Sequence, residues 1–384
     1  MPGSADYPWI PDPVPAESIP KFGFEQVQEG ERIGSGGNAN VYRASVTLNG
    51  TSYTVAVKEP RFGGTIQTEA LERFRDEAET WERLDDHDNV VSVHAWGVDP
   101  LPWLVLEYMD GGTLDTKLGT VDLPEALWLA GRIAEGIRHG HRHGIAHLDV
   151  KPANVLLRNT DPETWEYPKV SDWGLAKMLL DHSTSIEGIS PTYAAPEQFD
   201  AEEFGSPDDI TDIYQFGAVT YALLTGRPPF TGSATAVMRK ALHDEPDPPS
   251  AHNSDVPKPV DDIVMKTLTR EKRDRYDGLL PVRNELDRVF DTLVDDDDVA
   301  EFDRDPPATG NTATTQSTSP GANRDRDRPT ADPGPATDEP RQATSEGSAE
   351  ERRDVTSNFA ETDASPASGS SGTNPADAAP QPAD

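Results

Sequence analysis

The stretch His147-Leu148-Asp149-Val150-Lys151-Pro152-Ala153-Asn154 brings a carboxylate, an ammonium group and a carboxamide close together in the chain. An Asp can accept the proton of a hydroxyl group, a Lys two residues later can neutralise a phosphoryl group in transfer, and an Asn can hold a metal ion. Asp172, in Asp172-Trp173-Gly174, would supply a second metal ligand. Each match alone is weak because single Asp and His residues in loops are usually structural, but their occurrence together in this order indicates one site.

An upstream glycine-rich segment, Gly34-Ser35-Gly36-Gly37-Asn38-Ala39-Asn40-Val41, can bring backbone N–H groups close to phosphates. It differs from a dinucleotide-binding fingerprint because a strand, and not a helix, is predicted to follow it. Ala39 also stands where the third glycine would be. Taken alone, the segment is better explained as an ordinary hairpin turn.

Lys58 ends the apolar run Val55-Ala56-Val57, where a Lys is usually a solvated strand terminus. Here the glycine-rich segment precedes it, and Glu77 lies on the next predicted helix. A Lys inside a nucleotide cleft needs a carboxylate partner to stay charged and aimed. The order of these residues therefore favours a phosphate-binding Lys.

Together these motifs resemble the eukaryotic-type (Hanks-type) serine/threonine protein kinase family, and the likeness covers about residues 24–290. It implies an α+β fold of two lobes, β-rich at the N-terminal side and helical at the C-terminal side. It also implies that Asp149 is the catalytic base and that Lys151 contacts the γ-phosphate. Lys58 would position the α- and β-phosphates while paired with Glu77, or with Glu79 if the helix register differs.

The resemblance implies ATP as phosphate donor, with Mg²⁺ held by Asn154 and Asp172. Leu106 looks like the gatekeeper beside the hinge Glu107-Tyr108-Met109. The residues that it assigns to nucleotide binding are Ile33, Gly34, Ser35, Gly36, Gly37, Val41, Ala56, Lys58, Glu107, Met109 and Leu156. Lys151-Pro152 resembles the sequence that serine/threonine kinases have at this position. The resemblance therefore implies that Ser and Thr hydroxyls of proteins accept the phosphoryl group.

Further along, Ala194-Ala195-Pro196-Glu197 resembles the segment that closes the activation loop. The resemblance implies that Glu197 pairs with Arg275. It likewise implies that Asp212, on the predicted helix 209–224, braces the catalytic loop from below.

Two departures from the family pattern lead to further expectations about the site. Leu148 stands where most members have an Arg that receives the phosphate of the activation loop, so a phosphate on residues 183–185 would lose its main counter-charge. Trp173 replaces the usual Phe, and Trp81 lies one helical turn after Glu77. We therefore predict that the two indoles pack together.

The composition divides the 384-residue chain into three parts. Residues 1–23 are rich in proline and predict an extended arm. Residues 24–290 form the predicted kinase domain, with an N-lobe over 24–106, a hinge over 107–112 and a C-lobe over 113–290. Residues 291–384 predict an acidic, disordered tail, since Val355 and Phe359 are the only large apolar residues after position 302.

The net charge of −35 disfavours nucleic acid and anionic membranes as partners. Ten Lys against 24 Arg, with acids dense along the chain, indicate adaptation to high salt; the alternative is an acidic tail on an ordinary protein. The chain has no Cys, no apolar run long enough to span a bilayer and no signal segment, so we expect a cytoplasmic location. The resemblance leaves a homodimer through the small lobe open.

Two other functions remain in competition with an active protein kinase. A pseudokinase that binds ATP as a scaffold normally lacks one of the residues that correspond to Lys58, Asp149 and Asp172, and all three are present here. A small-molecule kinase of related fold would not be expected to carry the segment ending at Glu197 or its predicted partner Arg275. Both features favour a protein substrate.

Overall fold

The computed structural model describes residues 7–36, 39–61, 68–99, 101–173 and 191–302. Several sequence predictions lie outside these ranges. They concern Gly37 of the glycine-rich segment, residues 183–185 of the activation loop and the tail after position 302.

The N-terminal lobe is built on one antiparallel sheet and one helix. Its strands are β1 (Val27–Gly36), β2 (Ala39–Leu48), β3 (Thr51–Pro60), β4 (Val93–Gly97) and β5 (Trp103–Glu107). The strand order is β1-β2-β3-β5-β4. Asn49 and Gly50 join β2 to β3 with positive φ values of 52° and 86°, the geometry that an Asn-Gly hairpin turn requires. Helix α1 (Thr68–Glu82) packs on the sheet through its buried apolar side chains.

The C-terminal lobe is mainly helical. Its long elements are α2 (Leu123–Arg142), α5 (Asp209–Thr225), α6 (Ala234–His243), α7 (Lys258–Thr267) and α8 (Leu279–Phe302), and the short helices α3 (Pro196–Phe199) and α4 (Ala201–Phe204) precede α5. Asp122 caps α2 by accepting the N–H of Glu125 at 2.9 Å. Helix α5 is buried from Thr211 to Leu224 and stops at Gly226, whose φ is 72°. The predicted two-lobed α+β fold is confirmed.

A short two-stranded sheet lies beneath the junction of the lobes. Strands β6 (Val155–Arg158) and β7 (Tyr167–Val170) pair in antiparallel register. The predicted catalytic loop ends where β6 begins, and Asp172 follows the end of β7. This sheet therefore holds the two chemically important segments side by side.

Helix α8 is longer than the sequence predicted. The sequence predicts that the acidic tail begins at residue 291, whereas the structure continues the helix to Phe302. Val294 is buried, and the turns before it pack against the core. A helix anchored in this way propagates through Asp residues because each costs less than about 0.7 kcal/mol relative to Ala.

Residues 7–23, the described part of the N-terminal arm, contain no helix and pack against the protein. Tyr7 and Ile10 belong to the main core cluster, where they are only 8% and 3% exposed. Among the described helices, none is both long and apolar enough for a transmembrane segment.

Candidate active site

The predicted catalytic loop surrounds the carboxylate of Asp149 with two polar side chains. Lys151 Nζ lies 2.7 Å from Asp149 Oδ2, and Asn154 Nδ2 lies 3.1 Å from the same oxygen. Asn154 also donates to the Asp149 carbonyl at 2.8 Å. Both neighbours bond Oδ2, and among the described residues no hydrogen bond is made to Oδ1. One carboxylate oxygen is therefore held while the other can accept a proton.

Asp212 braces this loop from the buried helix α5. Its carboxylate is fully buried and accepts the backbone N–H groups of His147 at 2.7 Å and Leu148 at 2.6 Å. His141 Nε2 lies 2.7 Å from the same side chain. Leu148 has a φ of +59°, which for a branched side chain costs about 1–2 kcal/mol. The hydrogen bond to Asp212 helps to hold this strained backbone.

The salt bridge of Lys58 differs from the predicted one. Lys58 Nζ bonds Asp172 Oδ1 at 2.9 Å, and among the described residues it has no salt bridge to Glu77. Glu77 nevertheless faces inward, whereas Glu79 is exposed, so Glu77 is the acid of α1 that lies on the side of the cleft. Two carboxylates compete for one ammonium group here, and Asp172 makes the direct contact.

Charge and burial both act on this group of residues. Burial lowers the pKa of Lys58, but the charges of Asp172 and Glu77 outweigh it and raise the pKa above its ordinary value. Burial raises the pKa of Glu77 to about 7, although the Lys58 charge opposes the shift. Lys58 therefore stays protonated, as its predicted role as a phosphate ligand requires.

The predicted contact between Trp81 and Trp173 is wrong. Both indoles are fully buried, but no ring contact joins them among the described residues. Trp173 packs instead on the ring of His147 at a centroid distance of 4.8 Å. Trp81 donates to the Val91 carbonyl at 2.7 Å, and Lys58 Nζ lies 5.9 Å from its ring centre. Each indole has its own partners, Val91 and Lys58 for Trp81 and His147 for Trp173.

The predicted nucleotide-binding residues come together between the lobes. Ala56 pairs across the sheet with Leu106, and Val41 pairs with Lys58. Val41 and Leu156 are half-buried and pack against the apolar cluster that contains Ala56 and Met109. At the end of β1, residues 34–36 pair with residues 39–41 of β2, and Ile33 is 47% exposed.

The hinge offers the backbone N–H of Met109 as a donor for a ligand. The N–H of Glu107 bonds the Ser92 carbonyl at 2.9 Å. The N–H of Met109 has no hydrogen-bond acceptor among the described residues, and it follows Glu107 by two positions. A base in the cleft could accept this bond, which is consistent with the predicted role of the hinge.

The oxygen donors of Asn154 and Asp172 fit a metal that also binds phosphate. Asn154 uses its amide N–H groups on Asp149, which leaves its carbonyl oxygen without a partner among the described residues. Asp172 shares one oxygen with Lys58. No cluster of three or more His, Cys, Asp or Glu suited to a metal occurs in the described ranges. Such a pair of hard oxygen ligands suits a divalent ion that is completed by the phosphates of a nucleotide.

Comparison with known proteins places these features in one family. A profile of the protein kinase domain matches residues 27–280. The chain belongs to the protein kinase family. The serine/threonine-protein kinase PrkC of Bacillus subtilis is 35% identical over 268 residues, which cover 67% of this chain and 40% of that protein.

Another relative is the serine/threonine-protein kinase PknB of Mycolicibacterium smegmatis. It is 32% identical over 294 residues, which cover 73% of this chain and 45% of that protein. The chain therefore spans less than half the length of these curated relatives.

The family's closing segment is anchored as the resemblance implied. Arg275 holds Glu197 through two parallel bonds, from Nη1 to Oε1 at 2.7 Å and from Nη2 to Oε2 at 2.8 Å. Both side chains have no exposed surface. A bidentate pair of this kind fixes orientation as well as distance, so it locks α3 against the helical lobe of the kinase fold.

Sequence reasoning missed several polar residues that support the site. Gln215 and Gln198 bond the catalytic loop, and Lys169 forms a buried salt bridge with Glu107. A signal existed for two of them, because Gln215 interrupts an apolar helix and Lys169 interrupts an apolar strand. The partners of these two residues could not be predicted from the sequence, because Lys169 lies 62 positions from Glu107 and Gln215 lies 67 positions from Leu148.

Proposed function

We propose that this protein is a serine/threonine protein kinase that transfers the γ-phosphoryl group of ATP to Ser or Thr hydroxyls of proteins. The observation that carries this proposal is the carboxylate of Asp149, with Lys151 and Asn154 on one oxygen and the other oxygen without a hydrogen bond among the described residues. A pseudokinase scaffold has no comparable support in the structure.

The arrangement assigns a step to each residue. Asp149 accepts the proton of the substrate hydroxyl while the hydroxyl oxygen attacks the γ-phosphorus. The bond between the γ-phosphorus and the bridging oxygen of the β-phosphate breaks, and ADP leaves. Lys151, which lies beside Asp149, neutralises charge on the phosphoryl group in transfer. Lys58 orients the α- and β-phosphates, and Glu77 is placed to take over as its partner when Asp172 binds metal.

Mg²⁺, which we propose as the metal, would neutralise charge on the β- and γ-phosphates when held by Asn154 and Asp172. The adenine would lie between Val41 and Ala56 on one side and Leu156 on the other. Family membership supports ATP and a divalent metal in general terms, and the oxygen-only donor set favours Mg²⁺ over metals that prefer nitrogen or sulfur.

The cellular setting belongs to the same proposal. The acidic composition supports a cytoplasmic protein adapted to high salt that binds neither nucleic acid nor membrane, with protein substrates as its partners. A homodimer through the N-terminal lobe remains a prediction.

The deciding experiment is transfer of labelled phosphate from ATP with Mg²⁺, comparing the wild type with Asp149→Asn. It should run from low to multimolar KCl because a strongly acidic protein needs counter-ions to stay compact. We expect labelling of a generic Ser/Thr acceptor or of the protein itself, and its loss by at least about a hundredfold in Asp149→Asn.

Asp262→Asn is the matched control, because Asp262 is an exposed carboxylate on α7 that pairs only with Lys258 in the described structure. Its activity should equal that of the wild type. If the folded wild-type protein bound ATP but labelled nothing at any salt concentration, the kinase proposal would be wrong and a scaffold role would replace it.

A further inference from the structure

Two glutamine side chains converge on the residue before the catalytic base. Gln198 Nε2 donates to the carbonyl of Leu148 at 2.8 Å, and Gln215 Nε2 donates to the same oxygen at 3.2 Å. Gln198 lies on α3, in the segment that closes the activation loop, whereas Gln215 lies on the buried helix α5. One backbone oxygen is therefore held from two separate elements.

The oxygen ends of the same carboxamides extend the network. Gln215 Oε1 accepts the N–H of Val150 at 2.9 Å, so Gln215 bonds the backbone on both sides of Asp149. Gln198 Oε1 accepts the second Nε2–H of Gln215 at 2.9 Å and the N–H of Ala195 at 3.0 Å. A carboxamide can do this because it is donor and acceptor at once. The bonds form a continuous link from Ala195 to the catalytic loop.

This link acts at the strained point of the loop. Leu148 has a left-handed backbone, which persists only where the surroundings impose it. Asp212 accepts the N–H of Leu148. The carbonyl of Leu148 belongs to the following peptide group, which joins Leu148 to Asp149. The two carboxamides hold the carbonyl of that peptide group, and His147 Nδ1 accepts its N–H, that of Asp149, at 3.2 Å.

We propose that Gln198 and Gln215 are positioning residues for Asp149. Their neutral link joins the catalytic loop to the closing segment at a site where Leu148 supplies no cation for a phosphate. This inference rests on the proposed kinase function of the site. The competing explanation is that the glutamines only satisfy buried polar groups and contribute to stability alone.

The test uses the full chain with Gln198→Met, Gln215→Met and the double variant. Met keeps the approximate length of Gln and removes its donor and acceptor. We expect kcat to fall about tenfold to a hundredfold, because a small displacement of a catalytic group has that effect. The KM for ATP should stay within about twofold, and the double variant should be little worse than the poorer single variant because the two residues act as a unit.

Thr220→Val is the matched control on the same helix. Thr220 is buried, and its hydroxyl donates to the Phe216 carbonyl at 2.9 Å, away from the loop. It should lose stability without the fall in kcat. Hydrogen exchange is measured on all variants, and the two Met variants should lose protection at the amides of Val150 and Ala195.

The outcomes separate this inference from the proposed function. Unchanged protection at Val150 in Gln215→Met, or a fall in kcat as large in Thr220→Val as in the Gln variants, would overturn the positioning role. Absence of phosphate transfer by the wild type would refute the kinase function. In that case, the exchange at Val150 and Ala195 would still decide whether the carboxamides hold the loop.

Discussion

Glu77 shows how one residue can be unfavourable for stability and useful for function. Its pKa of about 7 results from burial, which disfavours the charged carboxylate more than Lys58 favours it. The ordinary value is 4.5. Since the folded protein holds this proton more tightly than the unfolded chain does, the contribution of Glu77 to stability is largest below about pH 4.5 and is lost as the pH rises through 7.

We therefore expect Glu77→Gln to become more stable relative to the wild type as the pH rises. The difference in Tm between variant and wild type should grow from about pH 4.5 and level off above about pH 8, since Gln has no proton to lose. Thermal unfolding at fixed salt across this range measures it. A difference in Tm that is constant with pH would show that Glu77 has an ordinary pKa.

The same substitution should lower phosphate transfer. In the proposed mechanism Glu77 would partner Lys58 if Asp172 bound the metal, and Gln cannot supply that charge. A variant that gains stability at pH 8 and loses activity would show a trade-off between stability and activity at this residue, as is common at functional sites. Glu79→Gln is the control because Glu79 is exposed on the same helix and should change neither property.

At the scale of elements, a buried salt bridge joins the hinge to the sheet beneath the cleft. Lys169 on β7 lies 2.9 Å from Glu107 Oε1 on β5, and the two side chains are 0% and 6% exposed. Glu107 also accepts the N–H of Ser92 at 3.4 Å. The salt bridge between Lys169 and Glu107 links the strand before the hinge to the strand that leads to Asp172. It therefore fixes the spacing between the lobes at that point.

Lys169→Met should be strongly destabilising. It leaves the Glu107 carboxylate buried without its counter-charge, and breaking a buried pair in this way costs about 3–5 kcal/mol. Denaturant unfolding at constant salt measures the change. A loss below about 1 kcal/mol would mean that water reaches Glu107.

The double variant Lys169→Met, Glu107→Gln tests the cause of that loss. Because Gln carries no charge, it should recover a substantial part of the stability that Lys169→Met loses. Lys258→Met breaks a fully exposed pair on α7 and serves as the control, with no measurable change expected.

At the scale of the whole molecule, the N-terminal arm contacts both lobes. The backbone carbonyl of Trp9 accepts the backbone N–H of Trp165, in the C-terminal lobe, at 2.9 Å. The Tyr7 ring meets the Phe290 ring edge-on at a centroid distance of 6.1 Å. Further along, Ile19 packs against the apolar cluster on the outer face of the N-terminal sheet. The arm thus contributes to the core rather than extending into solvent.

Ile10→Ala should destabilise the folded protein by about 2–5 kcal/mol, because Ile10 is 3% exposed and its removal leaves a cavity. Glu17→Ala in the exposed part of the arm should change stability by less than about 0.5 kcal/mol. Denaturant unfolding of both variants decides the matter. Equal stability of the two variants would mean that the arm does not pack on the core in solution.

Local patterns were sufficient for most of the elements, and they indicated which groups are candidates for the reaction. The Asn49-Gly50 turn, the apolar helix that ends at Gly226 and the stretch from His147 to Asn154 are all signals carried by residues close together in the chain. They could be predicted because turn geometry, helical periodicity and side-chain chemistry depend on nearest neighbours. The error at the end of α8 arose because packing as far as Val294 anchors a helix that then continues through the acidic run 295–298.

The sequence by itself determined the two-lobed fold and predicted a base, a phosphate-binding Lys and two oxygen ligands for a metal. Only the tertiary structure decided which acid Lys58 contacts, where the two indoles lie and which side chains hold the Leu148 carbonyl. The physical reason is that these contacts join residues such as Lys58 and Asp172, which are 114 positions apart. Their free energies depend on burial and geometry that exist only after the lobes have packed.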